Sequence, residues 1–545
     1  MSLISRLVGR LWKLPAPITR DIASQPLRIP MRDGVELLAD RYYPRTGGPA
    51  PTVLIRSCYG RGAFKFIALV FAERGMQVVI ESCRGTSGSQ GTFRPFFDEQ
   101  NDGADTVDWI GRQPWFSGKL ALWGGSYLGN TAWAIAASSA GPKVNALGLH
   151  VTLTNFRDEN YSFGGFTLIG CAGWTVTMSN IIRTGGGISL KALLGARKAK
   201  AVSERVAATL PLRKADRVIA PDGVSWWQSW MDHAEPGDAW WDSIDYGAAA
   251  QSMPPTVMTG AWYDIFLPWQ LRDFVNAQQA GRDVRITIGP GTHAAMSGFA
   301  ESVRQSIVLF QERFHIRPSE AVKPAVRLFL MGANEWREYP RWPPPGASPR
   351  TFYLHPAGGM SSDAPAAEGE STFDYDPAHP TPAYFGATLE GRKGSGDIAE
   401  LEKRSDVLLF TSAAVSADLD LVGPVSAEIF LRSNTAHTDL YLCLCDVTPE
   451  GRSTNVCDGY RRLRPESTAS ETGDARKVEI EFWPTAYRIQ AGHRMRVIVA
   501  SGAYPRYARN PGSGEPLGDA TKMIVAHQRI LHGPMHPSAI TLSVI

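Results

Sequence analysis

The 545-residue sequence has few cysteines, no long hydrophobic run and almost no net charge. Its six cysteines form no C-x-x-C pair and have no histidine at zinc-ligand spacing, which argues against a disulfide framework or a structural metal site. We therefore expect the reducing cytoplasm as its compartment. The 56 lysines and arginines against 53 aspartates and glutamates give a net charge of +3, which argues against nucleic-acid binding. No apolar run approaches the roughly 20 residues of a membrane-spanning helix.

The residues that are abundant indicate a folded protein of several domains. Hydrophobic residues make up 43% and aromatic residues 10% of the chain, which excludes intrinsic disorder. The 53 glycines and 38 prolines predict many turns and loops. At roughly 100–200 residues per domain, the length is that of about three domains.

Residues 1–14 (MSLISRLVGRLWKL) have the pattern of a basic amphipathic helix. They lack a continuous apolar core and a small-residue cleavage site, so they do not resemble a signal peptide. Such a helix can lie on an anionic membrane surface, or it can dock on its own globule or on a sister subunit of a homo-oligomer. The sequence favours docking over membrane contact.

Apolar runs along the chain predict an α/β protein with an added β domain. Runs at 35–43, 52–57, 77–82, 120–123, 146–151, 256–260 and 284–288 read as strands, and helical segments separate several of them. This alternation predicts a mostly parallel sheet covered by helices on both faces. We assign residues 1–26 to an N-terminal helix and lead-in, 27–151 plus 246–323 to the α/β core, and 152–245 to an inserted helical cap. Strand-like runs from 326–331 onward predict a jelly-roll β-sandwich over 324–545.

The segment 120–130 (LALWGGSYLGN) has the strand–turn–helix pattern of a nucleophile elbow. In such an elbow Gly124 must lack a side chain, and Ser126 is held above the sheet edge. The next amide N–H, that of Tyr127, then points into an oxyanion hole. One departure is visible, because Leu128 stands where the G-x-S-x-G pattern has its second glycine, and Gly129 follows one place later.

A serine nucleophile needs a histidine base and an acid that orients the base, and in α/β-hydrolases they follow in the order serine, acid, histidine. Asp264 comes at the end of the predicted strand 256–260 and its extension, which makes it the candidate acid. His293 lies in a loop after the predicted strand 284–288 and is the candidate base. The carboxyl ends of parallel strands are where such sheets place their active sites.

Tyr59 follows an early predicted strand and is a candidate for a second oxyanion donor through its phenolic hydroxyl. From the residues alone, a tyrosine buried in the core is an equally good interpretation.

These segments together resemble the cocaine esterase / X-Pro dipeptidyl-peptidase (CocE/NonD) family of serine hydrolases. The matching pieces lie at 31–35 (MRDGV), 59–60 (YG), 84–89 (RGTSGS), 102–103 (DG), 108–110 (DWI), 113–115 (QPW), 124–129 (GGSYLG), 260–264 (GAWYD), 289–293 (GPGTH), 331–336 (MGANEW), 491–494 (AGHR) and 504–506 (YPR). The resemblance spans about residues 27–545. It implies an α/β-hydrolase core with a cap and a C-terminal jelly roll. It also implies Ser126, His293 and Asp264 as a catalytic triad, with Tyr59 and Tyr127 as oxyanion donors.

The expected activity is cleavage of a small-molecule ester or amide through an acyl-enzyme intermediate, and no metal or organic cofactor is indicated. An X-Pro dipeptidyl-peptidase, an α-amino-acid ester hydrolase and an acyltransferase remain open on the same scaffold. A binding module that uses its β-sandwich is an alternative from another class. Asp158 and Glu159 are candidates to hold a substrate ammonium, but we interpret them as a solvated surface pair. The abundant Trp and Phe residues around the cap favour an apolar acyl or aryl ester.

Overall fold

The computed structural model of the chain describes residues 2–45, 47–187, 196–318, 324–389, 391–465 and 474–545. Within these ranges, the first sheet consists of β1 (Ile22–Pro30), β2 (Glu36–Pro44), β3 (Ala50–Ser57), β4 (Gln77–Ser82), β5 (Phe116–Gly125), β6 (Ala146–His150), β7 (Thr256–Tyr263), β8 (Val284–Thr292), β9 (Val326–Leu330) and β10 (Glu335–Tyr339). Their order is β1-β2-β4-β3-β5-β6-β7-β8-β9-β10. The strands from β4 to β9 in this order are parallel, and antiparallel pairs close both ends.

In the described ranges, helices cover both faces of this sheet or form the cap, and one short helix lies in the β domain. They are α1 (Ser2–Leu11), α2 (Lys65–Ala72), α3 (Glu99–Gly111), α4 (Tyr127–Ala136), α5 (Phe156–Asn160), α6 (Leu168–Thr184), α7 (Ala196–Ala208), α8 (Asp216–Ile219), α9 (Ser225–Asp232), α10 (Leu267–Gln279), α11 (Met296–Arg313) and α12 (Ala399–Glu402). Val53 and Ile55 of β3 belong to the core that α2 and α11 cover, whereas Leu54 belongs to the core under α3, α4 and α10. Successive strand residues point to opposite faces, so an apolar strand serves both layers.

The cap is formed by α5 to α9, which lie between β6 and β7. Trp227 and Trp241 are buried in its core, and Trp174 and Trp230 line a cavity beside the sheet edge. The tryptophans of this segment therefore divide between core packing and pocket lining. Residues 188–195 of the predicted cap lie outside the described ranges.

A second sheet system forms the C-terminal β domain. Its described strands are β11 (Ser348–His355), β12 (Gly359–Ser361), β13 (Gly369–Tyr375), β14 (Leu408–Ala414), β15 (Leu419–Ser433), β16 (Asp439–Val447), β17 (Ser453–Arg462), β18 (Arg476–Glu481), β19 (Thr485–Ile489), β20 (Arg494–Ala500), β21 (Ala526–His532) and β22 (Ala539–Val544). They pair in the order β13-β21-β15-β22-β11-β12-β14-β20-β16-β17, with β18 and β19 also on β15. The molecule thus has the predicted α/β-hydrolase core, inserted cap and jelly-roll domain.

Three strands lie outside the domains that the sequence predicts for them. The sequence predicts that the run 326–331 belongs to the β domain, but β9 pairs in parallel with β8 and extends the first sheet, and β10 pairs with β9. A short alternating run is compatible with either sheet, and only the long-range pairing decides between them. β1 begins at Ile22, inside the predicted lead-in, and pairs with β2 despite Pro26, which an edge strand tolerates.

The N-terminal helix docks on the protein's own α/β core, the arrangement that the sequence favours. The Ser5 hydroxyl donates to the Glu73 carboxylate at 2.6–2.7 Å. The Trp12 ring packs edge-on against Phe66 of α2 and Phe299 of α11, with ring centroids 6.1 and 6.0 Å away. None of the described helices is long and apolar enough to cross a lipid bilayer.

Candidate active site

Ser126 occupies the sharp turn between β5 and α4. Its backbone has φ 56° and ψ −128°, a strained conformation for a residue with a side chain. A Cβ on Gly124 would lie 2.2 Å from the Leu128 carbonyl oxygen, so the turn closes only with glycine there. A Cβ on Gly129 would lie 2.5 Å from Thr152 Cγ2. Position 129 is therefore the one that must lack a side chain because of Thr152, and position 128 can carry a leucine.

The sheet brings Ser126, His293 and Asp264 into one hydrogen-bonded chain. They follow directly after β5, β8 and β7, whose carboxyl ends meet at one edge of the parallel sheet. His293 Nε2 lies 3.0 Å from Ser126 Oγ, and His293 Nδ1 lies 2.6 Å from Asp264 Oδ1. This is the spacing at which an imidazole can accept the serine proton while a carboxylate holds its other N–H.

Asp264 is fully buried and is held by groups from two parts of the molecule. The Phe266 amide donates to its carboxylate at 3.3 Å. The Trp483 indole N–H, from the loop between β18 and β19, donates to its backbone carbonyl at 2.9 Å. The Phe266 ring also packs edge-on against His293. The β domain thus contacts the acid directly and helps to fix its position.

Tyr59, which follows β3, lies at the same edge with its hydroxyl beside Ser126. The Trp174 indole N–H donates to the Tyr59 hydroxyl oxygen at 3.0 Å, which leaves the phenolic proton free to be donated. Burial raises the pKa of Tyr59 well above its ordinary value, so the hydroxyl keeps this proton. This geometry leaves the Tyr59 hydroxyl able to donate a hydrogen bond beside Ser126.

Tyr127 is the first residue of α4, so its backbone N–H has no acceptor within the helix. Its own hydroxyl donates to the Glu99 carboxylate at 2.8 Å and accepts from the Phe96 amide at 2.9 Å. These contacts fix the Tyr127 side chain in the core, and its backbone N–H follows Ser126 directly.

A narrow cavity opens next to Ser126 and has mostly aromatic and aliphatic walls. Its lining is Phe96, Ser126, Tyr127, Phe156, Glu159, Asn160, Gly170, Cys171, Trp174, Trp230, Ile265, Phe266 and Leu389. Leu389 comes from the C-terminal region, so core, cap and β domain all contribute to it. A cavity of this kind fits an apolar group bonded to a carbonyl that Ser126 attacks.

The interpretation of Asp158 and Glu159 as a solvated pair is wrong for Glu159. Asp158 is partly exposed and pairs with Arg272 at 2.6 Å, but Glu159 is 7% exposed and faces the cavity. Burial raises the pKa of Glu159 to about 8, the Thr167 hydroxyl opposes this rise, and the Asp264 charge adds to it. A carboxyl with this pKa is mostly protonated at neutral pH.

His150 is a site neighbour that sequence reasoning missed. It ends β6, is buried, and places Nδ1 2.8 Å from the Thr259 hydroxyl. Burial, aided by nearby His293, lowers its pKa to about 3, so it is neutral near pH 7. The only signal in the sequence was its place at a strand end, which does not separate it from a structural histidine. Among the described residues, no group of three or more His, Cys, Asp or Glu could hold a metal ion.

An α/β sheet that presents a strained serine, a histidine and a buried acid in contact at its carboxyl edge defines a serine hydrolase. The model of the X-Pro dipeptidyl-peptidase (S15) family matches residues 33–295, and that of the X-Pro dipeptidyl-peptidase C-terminal non-catalytic domain matches 321–541. The cocaine esterase of Rhodococcus sp. (strain MB1 Bresler) is 31% identical over 95% of this chain and 97% of its own length. The chain belongs to this family of serine hydrolases.

Solved structures show the same fold over the whole length. An α-amino acid ester hydrolase superposes with a TM-score of 0.81 at 21% identity, covering 98% of both chains. An aminopeptidase from a marine sediment archaeon, Thaumarchaeota archaeon, gives a TM-score of 0.80 at 20% identity, also over 98% of both chains. At these identities the likeness concerns the fold and not the substrate.

Proposed function

We propose that Ser126 is the nucleophile of this hydrolase, His293 its general base and Asp264 the residue that orients the base. The observation that carries the proposal is the unbroken hydrogen-bonded chain between them, at 3.0 and 2.6 Å. His293 takes the proton of Ser126 as Oγ attacks the carbonyl carbon, and then gives it to the leaving group. Water then attacks the acyl-enzyme with His293 again as base, and the acid product leaves.

The tetrahedral intermediates carry a negative charge on the former carbonyl oxygen, which the Tyr59 hydroxyl and the Tyr127 amide are proposed to stabilise. Two observations support Tyr59 in this role: Trp174 occupies its oxygen as a donor, and burial keeps its pKa high. One donor to an oxyanion is typically worth about 10²–10³ in turnover.

The proposed substrate is a small-molecule ester with an apolar, aromatic acyl group. Phe96, Phe156, Trp174, Trp230 and Phe266 wall the cavity beside Ser126. The Glu159 carboxyl in that wall is mostly neutral at pH 7, so an apolar acyl group would not have to lie beside a buried charge. The similarity to cocaine esterase supports an ester in preference to an amide.

A second candidate is an acyl group that carries an amine, as in amino-acid esters or X-Pro dipeptides. The buried Glu159 carboxyl favours it, because an ammonium placed beside Glu159 would lower the carboxyl pKa and pair with the resulting charge. A matched panel separates the two: benzoate aryl esters, amino-acid aryl esters and X-Pro amides. A preference for amino-acid esters that Glu159→Gln abolishes would favour the second candidate, and a benzoate preference the first.

Turnover of an activated aryl ester by Ser126→Ala tests the nucleophile. We expect activity to fall to background, while the matched control Ser138→Ala, at a serine that follows α4, keeps wild-type turnover. Undiminished hydrolysis by Ser126→Ala would reject the assignment, and a fully inactive wild type would favour the binding-module alternative. Products formed with an added alcohol or amine distinguish hydrolysis from acyl transfer.

We also propose that the enzyme works in the cytoplasm. The support is that all six cysteines, at positions 58, 83, 171, 443, 445 and 457, are buried free thiols. Cell fractionation with an antibody against the protein tests this, and recovery from an oxidising compartment would contradict it.

A further inference from the structure

Helix α1 docks through one side and leaves an apolar ridge on the other. At about 100° per residue, Ser5, Gly9 and Trp12 fall on one side of the helix. Ser5 is the residue bonded to Glu73, and Trp12 packs on Phe66 and Phe299. Leu7 and Leu11 lie on the opposite side and are 60% and 69% exposed. Nothing in the described chain covers these two leucines.

The charge around the ridge is of one sign. Residues 1–20 contain Arg6, Arg10, Lys13 and Arg20 and neither aspartate nor glutamate. Arg6, Arg10 and Lys13 are exposed. Two acids that contact this segment or follow it in the sequence already have partners: Glu73 accepts from Ser5 on the docked side, and Asp21 pairs with Arg45 at 3.1 Å. A basic rim beside exposed leucines is complementary to a surface that is negative outside and apolar inside.

We propose that α1 is a membrane-surface anchor that binds bilayers containing anionic phospholipids, with Leu7 and Leu11 inserted below the headgroups. An in-plane helix with basic flanks and an apolar side binds in this way without spanning the membrane. The helix is already folded and fixed on the core, so it does not have to be ordered on binding.

Helix α1 runs beside α2, with Ser5 at Glu73, just after the end of α2, and Trp12 at Phe66 in its first turn. Trp12 contacts Phe299 of α11, and α11 begins three residues after His293. The Trp12 end of the anchor therefore lies nearer to the active site than the Ser5 end does.

The test is co-sedimentation of the full-length protein, tagged at its C-terminus, with vesicles of phosphatidylcholine alone or with phosphatidylserine. We expect binding to the phosphatidylserine vesicles, weakened by salt. Leu7→Gln with Leu11→Gln should lower the partition coefficient at least about tenfold. Arg6→Glu with Arg10→Glu should lower it by more, since each basic residue near an anionic surface contributes about fivefold.

Two double variants serve as matched controls. Met535→Gln with Val525→Gln removes apolar side chains that are 75% and 40% exposed in the β domain, and it should bind like wild type. Arg112→Glu with Lys522→Glu makes the same change in net charge on other surfaces and should retain most of the binding.

All variants should keep wild-type turnover of a soluble aryl ester, which shows that they fold. Absence of vesicle binding by wild type, equal binding to both vesicle types, or binding unchanged by the leucine substitutions would overturn the proposal. So would a wild-type dimer in sedimentation velocity that the leucine substitutions dissociate, because the ridge would then hold a second copy of the chain.

Discussion

Replacing Glu159 by glutamine should change how the stability of the protein depends on pH. The carboxyl is 7% exposed beside the aromatic walls of the cavity, and burial raises its pKa to about 8 from 4.5. Glutamine has nearly the same size and shape but cannot ionise. The substitution therefore removes the titration and leaves the packing of the cavity nearly unchanged.

The sign and size of the effect follow from the two pKa values of Glu159. The folded protein keeps the proton that the unfolded chain releases near pH 4.5, so this contribution to stability is complete below that pH. It is lost as the pH rises toward about 8. One pKa unit corresponds to about 1.4 kcal/mol. Between pH 5 and pH 7 the wild type should therefore lose about 2–3 kcal/mol of unfolding free energy relative to Glu159→Gln.

The assay is urea unfolding followed by tryptophan fluorescence at a series of pH values, for wild type and Glu159→Gln. Glu204→Gln is the matched control, because Glu204 also lies in the cap but its side chain is 61% exposed and pairs with Lys200. The unfolding free energy of Glu204→Gln should change with pH in the same way as that of wild type. If the difference in unfolding free energy between Glu159→Gln and wild type does not grow with pH, the conclusion that Glu159 is buried in its protonated form is refuted.

Three further substitutions test the site and its supports. Tyr59→Phe removes one oxyanion donor and should lower kcat for an aryl ester about 10²–10³-fold with little change in KM; a wild-type kcat would exclude that role. Trp483→Phe removes the donor to the Asp264 carbonyl and should cost about 1–3 kcal/mol in thermal unfolding and lower kcat; an unchanged melting curve and kcat would contradict the bracing role. Gly124→Ala places a methyl group 2.2 Å from the Leu128 carbonyl and should cost about 1–3 kcal/mol or more and abolish turnover; an active, stable variant would contradict the closed turn.

The sequence predicted those parts of the site that local pattern and chain order determine. A strand, Gly124, Ser126 and a helix describe one tight turn, and that turn is present with its strained serine. Asp264 and His293 were predicted because each follows a strand of a parallel sheet, and such strand ends meet at one edge.

Features that depend on long-range packing could not be predicted. The local sequence indicates that Glu159 is a surface residue. Its burial depends on how the cap closes over it, which the local sequence does not show. The contact of Trp174 with Tyr59 joins residues 115 positions apart and has no signature in either local sequence. The prediction that the run 326–331 belongs to the β domain is wrong for the same reason, because only tertiary pairing shows that β8 is its partner.

The central claim is that Ser126 forms the acyl bond, and covalent labelling tests it most directly. The wild-type protein is treated with a fluorophosphonate, which phosphonylates an activated serine, and the modified peptide is identified by mass spectrometry. We predict one adduct, on Ser126, that is absent from Ser126→Ala and suppressed by an aryl ester substrate. An adduct on a different serine, or labelling that persists in Ser126→Ala, would contradict the account.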